Sequence, residues 1–356
     1  MSTPLPDRPS TAGRQPSALN PSAVNPSALN PSSSFCERLG ITYPVICGAM
    51  YPCSNPELVA AVSAAGGIGI VQPISLTYVH GREYRTGLRY IKQLTDRPIG
   101  FNALIEQSSQ SYHQRMIRWL EIALEEGVRF VVTSLGKPRW VVERVHAVGG
   151  VVYHDVVDAR WAAKAIDSGV DGLIAVNSRA GGHAGPQSPE QLIESLAPLG
   201  RPVVAAGGVG TAHEFVHLMQ LGYAGVQIGT RFIATTECKT SEAYKQAIID
   251  ADEDDIVLTE RLTGVPVAVI NNEWVRRTGT RAGPFARWML RGRKTKHWMR
   301  MIYALRSGMA LKSSLTKEGN AEYWQAGKSV AGIHDIRPAG DIVREYGEAW
   351  RTTSKR

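Results

Sequence analysis

The chain has 356 residues, enough for one barrel-sized domain of roughly 200 to 250 residues plus an appendage. No apolar run reaches the roughly 18 residues that a membrane helix needs, so a membrane partner is not expected. Its four cysteines, Cys36, Cys47, Cys53 and Cys238, form no Cys-x-x-Cys pair and no secretory leader precedes them; reduced thiols in a cytoplasmic protein are the expectation. The net charge of +8 is local: residues 276–317 hold twelve Lys or Arg and no acid.

In chain order, residues 1–34 come first. Pro-Ser-Ala-Leu-Asn at 16–20 recurs with one change at 21–25 and again at 26–30, and a proline every five residues interrupts both helix and ladder, which predicts a disordered tail. Apolar, β-branched runs of strand length then follow at 44–50, 68–71, 98–104, 129–133, 150–154, 171–176, 202–206 and 224–228, eight in all. Helical-period segments lie between them, such as 56–65, 111–125, 139–148 and 159–168, with a further helix at 212–221 N-capped by Thr211. Regular strand–helix alternation predicts a parallel (β/α)₈ barrel over 35–240. An open doubly wound sheet would carry its Gly-x-Gly-x-x-Gly turn after the first strand, and here that strand ends in Gly48-Ala49-Met50. A basic helical covering region is expected at 241–334, and a helix and tail at 335–356.

Three loops carry the chemistry. Asn-Ser-Arg-Ala-Gly-Gly-His-Ala-Gly-Pro at 177–186 follows the sixth strand, so that glycine backbone free of Cβ surrounds one imidazole, His183. Gly207 and Gly208 end the seventh strand ahead of a helix N-terminus, and Gly229 and Thr230 end the eighth. In such barrels a phosphate commonly sits between the loops after strands seven and eight, held by backbone amides and a helix dipole. His154 and Asp155 close the fifth strand, either facing His183 across the mouth or capping the loop; Gln72 and Lys137 also follow strands. The run 250–255, rich in Asp and Glu, reads as a solvated loop and no metal site is assigned.

The stretches at 45–50, 55–69, 101–104, 180–185, 205–208 and 227–232 together resemble the nitronate monooxygenase family, from about Pro44 to Cys238 and more loosely to Tyr346. That resemblance implies a flavin-binding (β/α)₈ TIM barrel with FMN held non-covalently and alkyl nitronates oxidised with molecular oxygen. It places Gly48, Ala49 and Met50 against the flavin ring, Asn102 in a hydrogen bond to it, Ala180, Gly181 and Gly182 along its other side, and Gly207, Gly208, Gly229 and Thr230 at its phosphate. His183 becomes the catalytic residue, a group able to take a carbon proton and then stabilise the anion.

Two departures stand out: Arg179 where the family more often has Glu and Asn177 where it has Gly, which predicts a different sign of charge behind the flavin. Flavin-dependent enoyl-thioester reductases that use NAD(P)H share the barrel and the Ala-Gly-Gly-His loop, and a flavin-binding scaffold or sensor without activity is a third reading. The basic, aromatic-rich segment 287–303 fits a cover that draws in anionic substrates, acyl carriers or CoA rather than nucleic acid, since no nucleic-acid module surrounds it. A homodimer is left open.

Overall fold

A computed structural model describes residues 31–106, 109–283 and 323–354. Its eight parallel strands are β1 (Val45–Cys47), β2 (Ile68–Val71), β3 (Gly100–Leu104), β4 (Phe130–Ser134), β5 (Val151–Val156), β6 (Gly172–Val176), β7 (Val203–Ala206) and β8 (Gly225–Ile228). They pair in sequence order, and β1 pairs with β8 to close the barrel. The helices between them are α2 (Pro56–Ala64), α3 (Tyr84–Leu94), α4 (Gln110–Glu125), α5 (Arg139–His146), α6 (Ala159–Asp167), α7 (Pro189–Leu196) and α8 (Ala212–Gln220). The TIM barrel expected from the alternation is therefore observed. β1 stops three residues short of its expected end because the chain turns at Gly48, where a Cβ would meet the Gln227 side chain at 2.9 Å.

Strands covered on both sides need apolar residues at every position, which is why they read as continuous runs. Ile46, Ile68, Ile70, Val132, Tyr153 and Ile174 fill the barrel, while the alternate residues pack under the helices. Tyr153 is the largest plug: its ring meets Phe130 at 5.4 Å and Phe35 at 5.7 Å between centroids. Phe35 and Leu39 come from α1 (Pro31–Leu39), which closes the N-terminal end of the barrel. Residues 31–34, read as the end of the tail, are thus helical and belong to the fold; residues 1–30 lie outside the described residues.

Two further boundaries move. The C-terminal helix Ala339–Ser354 packs between α8 and α2, with Tyr346 against Phe215 and its hydroxyl donating to the Gly210 carbonyl. It supplies the helix that should follow β8, so this segment is barrel wall rather than appendage. The region between β8 and that helix is mixed: a short helix α9 (Thr230–Ile233), then α10 (Glu242–Asp250), an antiparallel hairpin of β9 (Ile256–Thr259) and β10 (Val267–Ile270), and α11 (Glu273–Thr278). Most of the basic segment, 284–322, lies outside the described residues. Among the described residues no helix is long and apolar enough to cross a membrane.

Gly172 faces Tyr153 across the β5–β6 ladder, and a Cβ there would stand 2.3 Å from the ring. Gly172→Ala should therefore cost about 1–3 kcal/mol by overpacking, read as a lowered Tm in thermal unfolding; an unchanged Tm would show that Tyr153 does not fill the barrel as described.

Candidate active site

Side chains alternate across a strand, and paired residues of neighbouring parallel strands share a face. Val151 and Tyr153 face the interior, so Asp155 does too, paired with interior Ile174. Asn102 pairs with interior Val132, and Gln227 pairs with interior Ile46 and Ala206. Asp155, Asn102 and Gln227 are thus the top inward layer, at the carboxyl ends of β5, β3 and β8. All three keep partial exposure although they point at the barrel axis. Two oxygens in this layer, Asp155 Oδ1 and Gln227 Oε1, are fully enclosed and have no hydrogen-bond partner.

His154 faces the opposite way. It pairs with shell-facing Leu173, and its Nδ1 lies 2.8 Å from Thr133 Oγ1 in the helical layer. The Thr133 hydroxyl donates to the Tyr153 carbonyl at 3.1 Å, so it accepts from Nδ1–H of His154. Burial lowers the His154 pKa from 6.5 to about 4. The arrangement across the mouth from His183 is overturned, and so is the capping pair: His154 is a neutral residue of the barrel wall. Asp155 departs the other way, with burial raising its pKa to about 7.

The loop after β6 is tied down by Asn177, fully buried, whose Nδ2 donates to the Gly207 carbonyl at 3.0 Å while its Oδ1 accepts from the Arg179 amide at 2.9 Å. The chain then passes so close to the β7 loop that a Cβ on Gly207 would stand 2.5 Å from Ala180. Gly207 and Gly208 have φ of +109° and +83°, the left-handed region that favours glycine. The Arg179 stem lies over Gly208, and its guanidinium pairs with Glu253 at 2.9 Å and, more loosely, Glu214 at 3.9 Å. Arg179 thus brings no uncompensated positive charge. Glu253, from the acidic run read as solvated, also pairs with Lys328 at 3.1 Å.

Part of the expected phosphate site is occupied by the protein itself. The Glu214 carboxylate accepts from the Gly210 and Thr211 amides at 2.8 and 3.0 Å, closing a capping box at the start of α8. Gly229 is different: a Cβ there would approach Met50 Sδ at 3.5 Å, an ordinary contact on the open side of β8. Gly48, Ala49 and Met50 are held beside it, the Gly48 amide donating to the Ile228 carbonyl at 3.0 Å. Thr230 Oγ1 accepts from the Gly327 amide at 3.0 Å, and a Cβ on Gly181 would lie 2.9 Å from the same nitrogen. The loops after β6, β7, β8 and β1 therefore converge with residues 326–328. Gln72 spends its Oε1 on the Ser75 amide, and Lys137 follows the left-handed turn of Leu135 and Gly136, apart from this cluster.

His183 stands at the edge of the convergence, solvent-reachable but crowded, and desolvation lowers its pKa below the usual histidine value. The β9–β10 hairpin roofs its loop: the Ala268 amide donates to the Gly182 carbonyl at 2.8 Å, and Gly182 has φ +69°. His183 Nε2 lies 3.2 Å from Thr263 Oγ1, whose hydrogen goes to the Val265 carbonyl at 3.1 Å. The ring therefore donates from Nε2 and keeps a lone pair on Nδ1. Nothing in the sequence pointed to Thr263 or to the hairpin, whereas the inward direction of Asp155 was readable from the period of two in β5.

The family model for nitronate monooxygenase matches residues 32–347. The chain belongs to the nitronate monooxygenase family. A Mycobacterium tuberculosis relative, (3aS,4S,5R,7aS)-5-hydroxy-7a-methyl-1-oxo-octahydro-1H-indene-4-carboxyl-CoA dehydrogenase, is 30% identical over 333 residues, 85% of this chain and 91% of that protein. A probable nitronate monooxygenase from Staphylococcus saprophyticus is 30% identical over 281 residues, 67% of this chain and 78% of its own. Among solved structures, FabK from Thermotoga maritima has a TM-score of 0.73 at 25% identity, covering 90% of this chain and 97% of that one. Membership of the nitronate monooxygenase family and these relatives make the chain a flavin-dependent oxidoreductase.

The wall position of His154 has a pH signature. Its pKa falls from 6.5 to about 4 on folding, so its contribution is complete above pH 6.5 and lost as pH falls toward 4. At about 1.4 kcal/mol per pH unit this amounts to about 3 kcal/mol. His154→Gln should lose less stability than the wild type between pH 7 and pH 4 in chemical denaturation. Equal losses would place His154 in contact with solvent.

Proposed function

We propose that this protein uses FMN to oxidise carbon acids, alkyl nitronates and their parent nitroalkanes first among them, with molecular oxygen taking up the electrons. The single observation that carries the reading is the His183 imidazole: neutral, oriented by Thr263, with its Nδ1 lone pair free at the rim of the loop convergence. A neutral imidazole can remove the proton next to a nitro group and, once charged, stabilise the anion it has made.

The residues at the mouth fit the cofactor. Gly229 borders open space at the end of β8, while Gly48 and Gly181 let the Gln227 side chain and the Gly327 backbone approach, and the enclosed Gln227 Oε1 has no hydrogen-bond partner. In this reading Gly48, Ala49, Met50 and Asn102 hold the ring, Ala180, Gly181 and Gly182 line its other side, and the backbone of Gly207, Gly208, Gly229 and Thr230 holds the phosphate. FMN, when bound, supplies the electron-pair acceptor and the oxygen chemistry. The protein's part is to bind it at the mouth, orient the substrate's acidic carbon toward His183 and keep that histidine unprotonated.

A second reading shares this chemistry: oxidation of a CoA thioester, whose carbon next to the carbonyl is also acidic. The observation in its favour is the match to the M. tuberculosis carboxyl-CoA dehydrogenase, which takes in 85% of this chain against 67% for the nitronate relative. The basic segment 276–317 supplies charge of the right sign for CoA phosphates. Enoyl-thioester reduction by NAD(P)H runs the reaction in reverse and is separated by its reductant.

Anaerobic mixing with a nitronate, an acyl-CoA or NADH, followed by flavin absorbance, tells the three apart: rapid bleaching by the nitronate is expected, and bleaching by NADH alone would overturn the oxidase reading. His183→Asn should keep the flavin and lower turnover of a neutral nitroalkane by about 10² to 10⁴. An unchanged rate would assign proton removal to another group.

A further inference from the structure

A base alone does not complete the chemistry proposed above. When a proton leaves carbon, negative charge develops on the oxygen of the adjoining nitro or thioester group, and a donor already aimed at that oxygen lowers the barrier. The cations on the converging loops are committed elsewhere: Arg179 and Lys328 both pair with Glu253, at 2.9 and 3.1 Å. The Thr263 hydroxyl is spent on the Val265 carbonyl.

Gln325 stands where such a donor is needed. It bridges Val269 on the edge of β10 away from β9, and its carbonyl accepts from the Tyr244 hydroxyl on α10, so its backbone is held from two sides. Gly182, the residue before His183, bridges Ala268 on the same edge, which brings Gln325 alongside the His183 loop. A Cβ placed on Gly182 would find Gln325 Oε1 at 3.7 Å as its one neighbour within 4 Å among the described residues. The Gln325 side chain is partly exposed, and its amide makes no hydrogen bond among the described residues. Rotation about the last side-chain bond exchanges Oε1 and Nε2, so an N–H can face the same way.

We propose that Gln325 is a catalytic residue whose Nε2–H donates to the substrate oxygen on which charge develops while His183 Nδ1 takes the carbon proton. The assignment rests on the carbon-acid reading above and adds to it the group that holds the anion. No proton passes to or from Gln325. The proton goes to His183, the C–H electron pair forms the new C=N or C=C bond, and the displaced N=O or C=O pair comes to rest on oxygen. A neutral amide suits both substrate classes, since a nitro group and a thioester carbonyl each offer an oxygen to a single N–H donor.

Two variants separate a donor from a spacer. Gln325→Met keeps the length and removes the N–H; Gln325→Glu keeps the length and an acceptor but sets a negative charge against the developing anion. Rates on a neutral nitroalkane and on an acyl-CoA are measured with the FMN-loaded proteins. In parallel, butyrate, a planar anion shaped like a nitronate, is titrated against the flavin absorbance, and FMN affinity and Tm are recorded. Expected is a kcat/KM lower by about 10² for Gln325→Met, and lower again for Gln325→Glu. Butyrate should bind about tenfold more weakly to Gln325→Met, with FMN affinity and Tm as in wild type. Should Gln325→Met fail to fold, Gln325→Leu takes its place with the same expected losses. Wild-type rates and butyrate affinity in both variants would overturn the assignment while leaving the carbon-acid reading standing. A Gln325→Glu rate at or above that of Gln325→Met would contradict donation to an anion and overturn it too, as would a fall in Tm and FMN affinity that matches the loss of rate in both variants, the mark of a structural residue. A wild-type protein that turns over neither substrate would bring down the carbon-acid reading and the Gln325 assignment together.

Discussion

The closed hydrogen-bond ladder, with β1 returned to β8, is the constraint on which the rest of this molecule depends. Once the ladder closes, a period of two along each strand decides which residues face the axis and which face the helices, and a shift of one residue would exchange them. Tyr153 and its neighbours fill the lower barrel, and the next inward residues, Asp155 on β5, Asn102 on β3 and Gln227 on β8, are polar. The same rule sends His154 outward to Thr133. Adjacent residues of one strand thus end up with pKa shifts of opposite direction and the same consequence, since burial favours the neutral form of each.

Much of this was legible in the sequence. Strand positions could be read because strands buried on both faces are apolar throughout, and the glycine loops could be read because positive φ and close backbone approach demand glycine at Gly182, Gly207 and Gly208. The ends of the elements were less legible. α1 is held against the barrel by Phe35 and Leu39, a long-range contact that the repeat composition before it conceals. Likewise the C-terminal helix completes the barrel wall across more than a hundred residues of intervening chain. The direction of His154 was available from strand period and was missed because histidine near a strand end invites a catalytic reading.

The site departs from its expected electrostatics for a reason that lies far along the chain. Arg179 looked like a charge placed behind the cofactor, yet Glu253 and Glu214 compensate it, and Glu253 reaches on to Lys328. The acidic run therefore links the β6 loop to residues 327–328, which in turn donate to Thr230 and to the Arg179 carbonyl. Loop, hairpin and C-terminal segment are cross-connected around His183 by partly exposed contacts that solvent screens. No contact of this kind can be deduced from spacing alone.

We propose that the barrel mouth, with its glycine loops and inward polar layer, takes a flavin carrying a single phosphate. Mass spectrometry of the cofactor released from the purified, flavin-reconstituted protein tests it most directly. FMN at close to one equivalent per chain is the predicted result; FAD at full occupancy, or no retained flavin, would contradict the account.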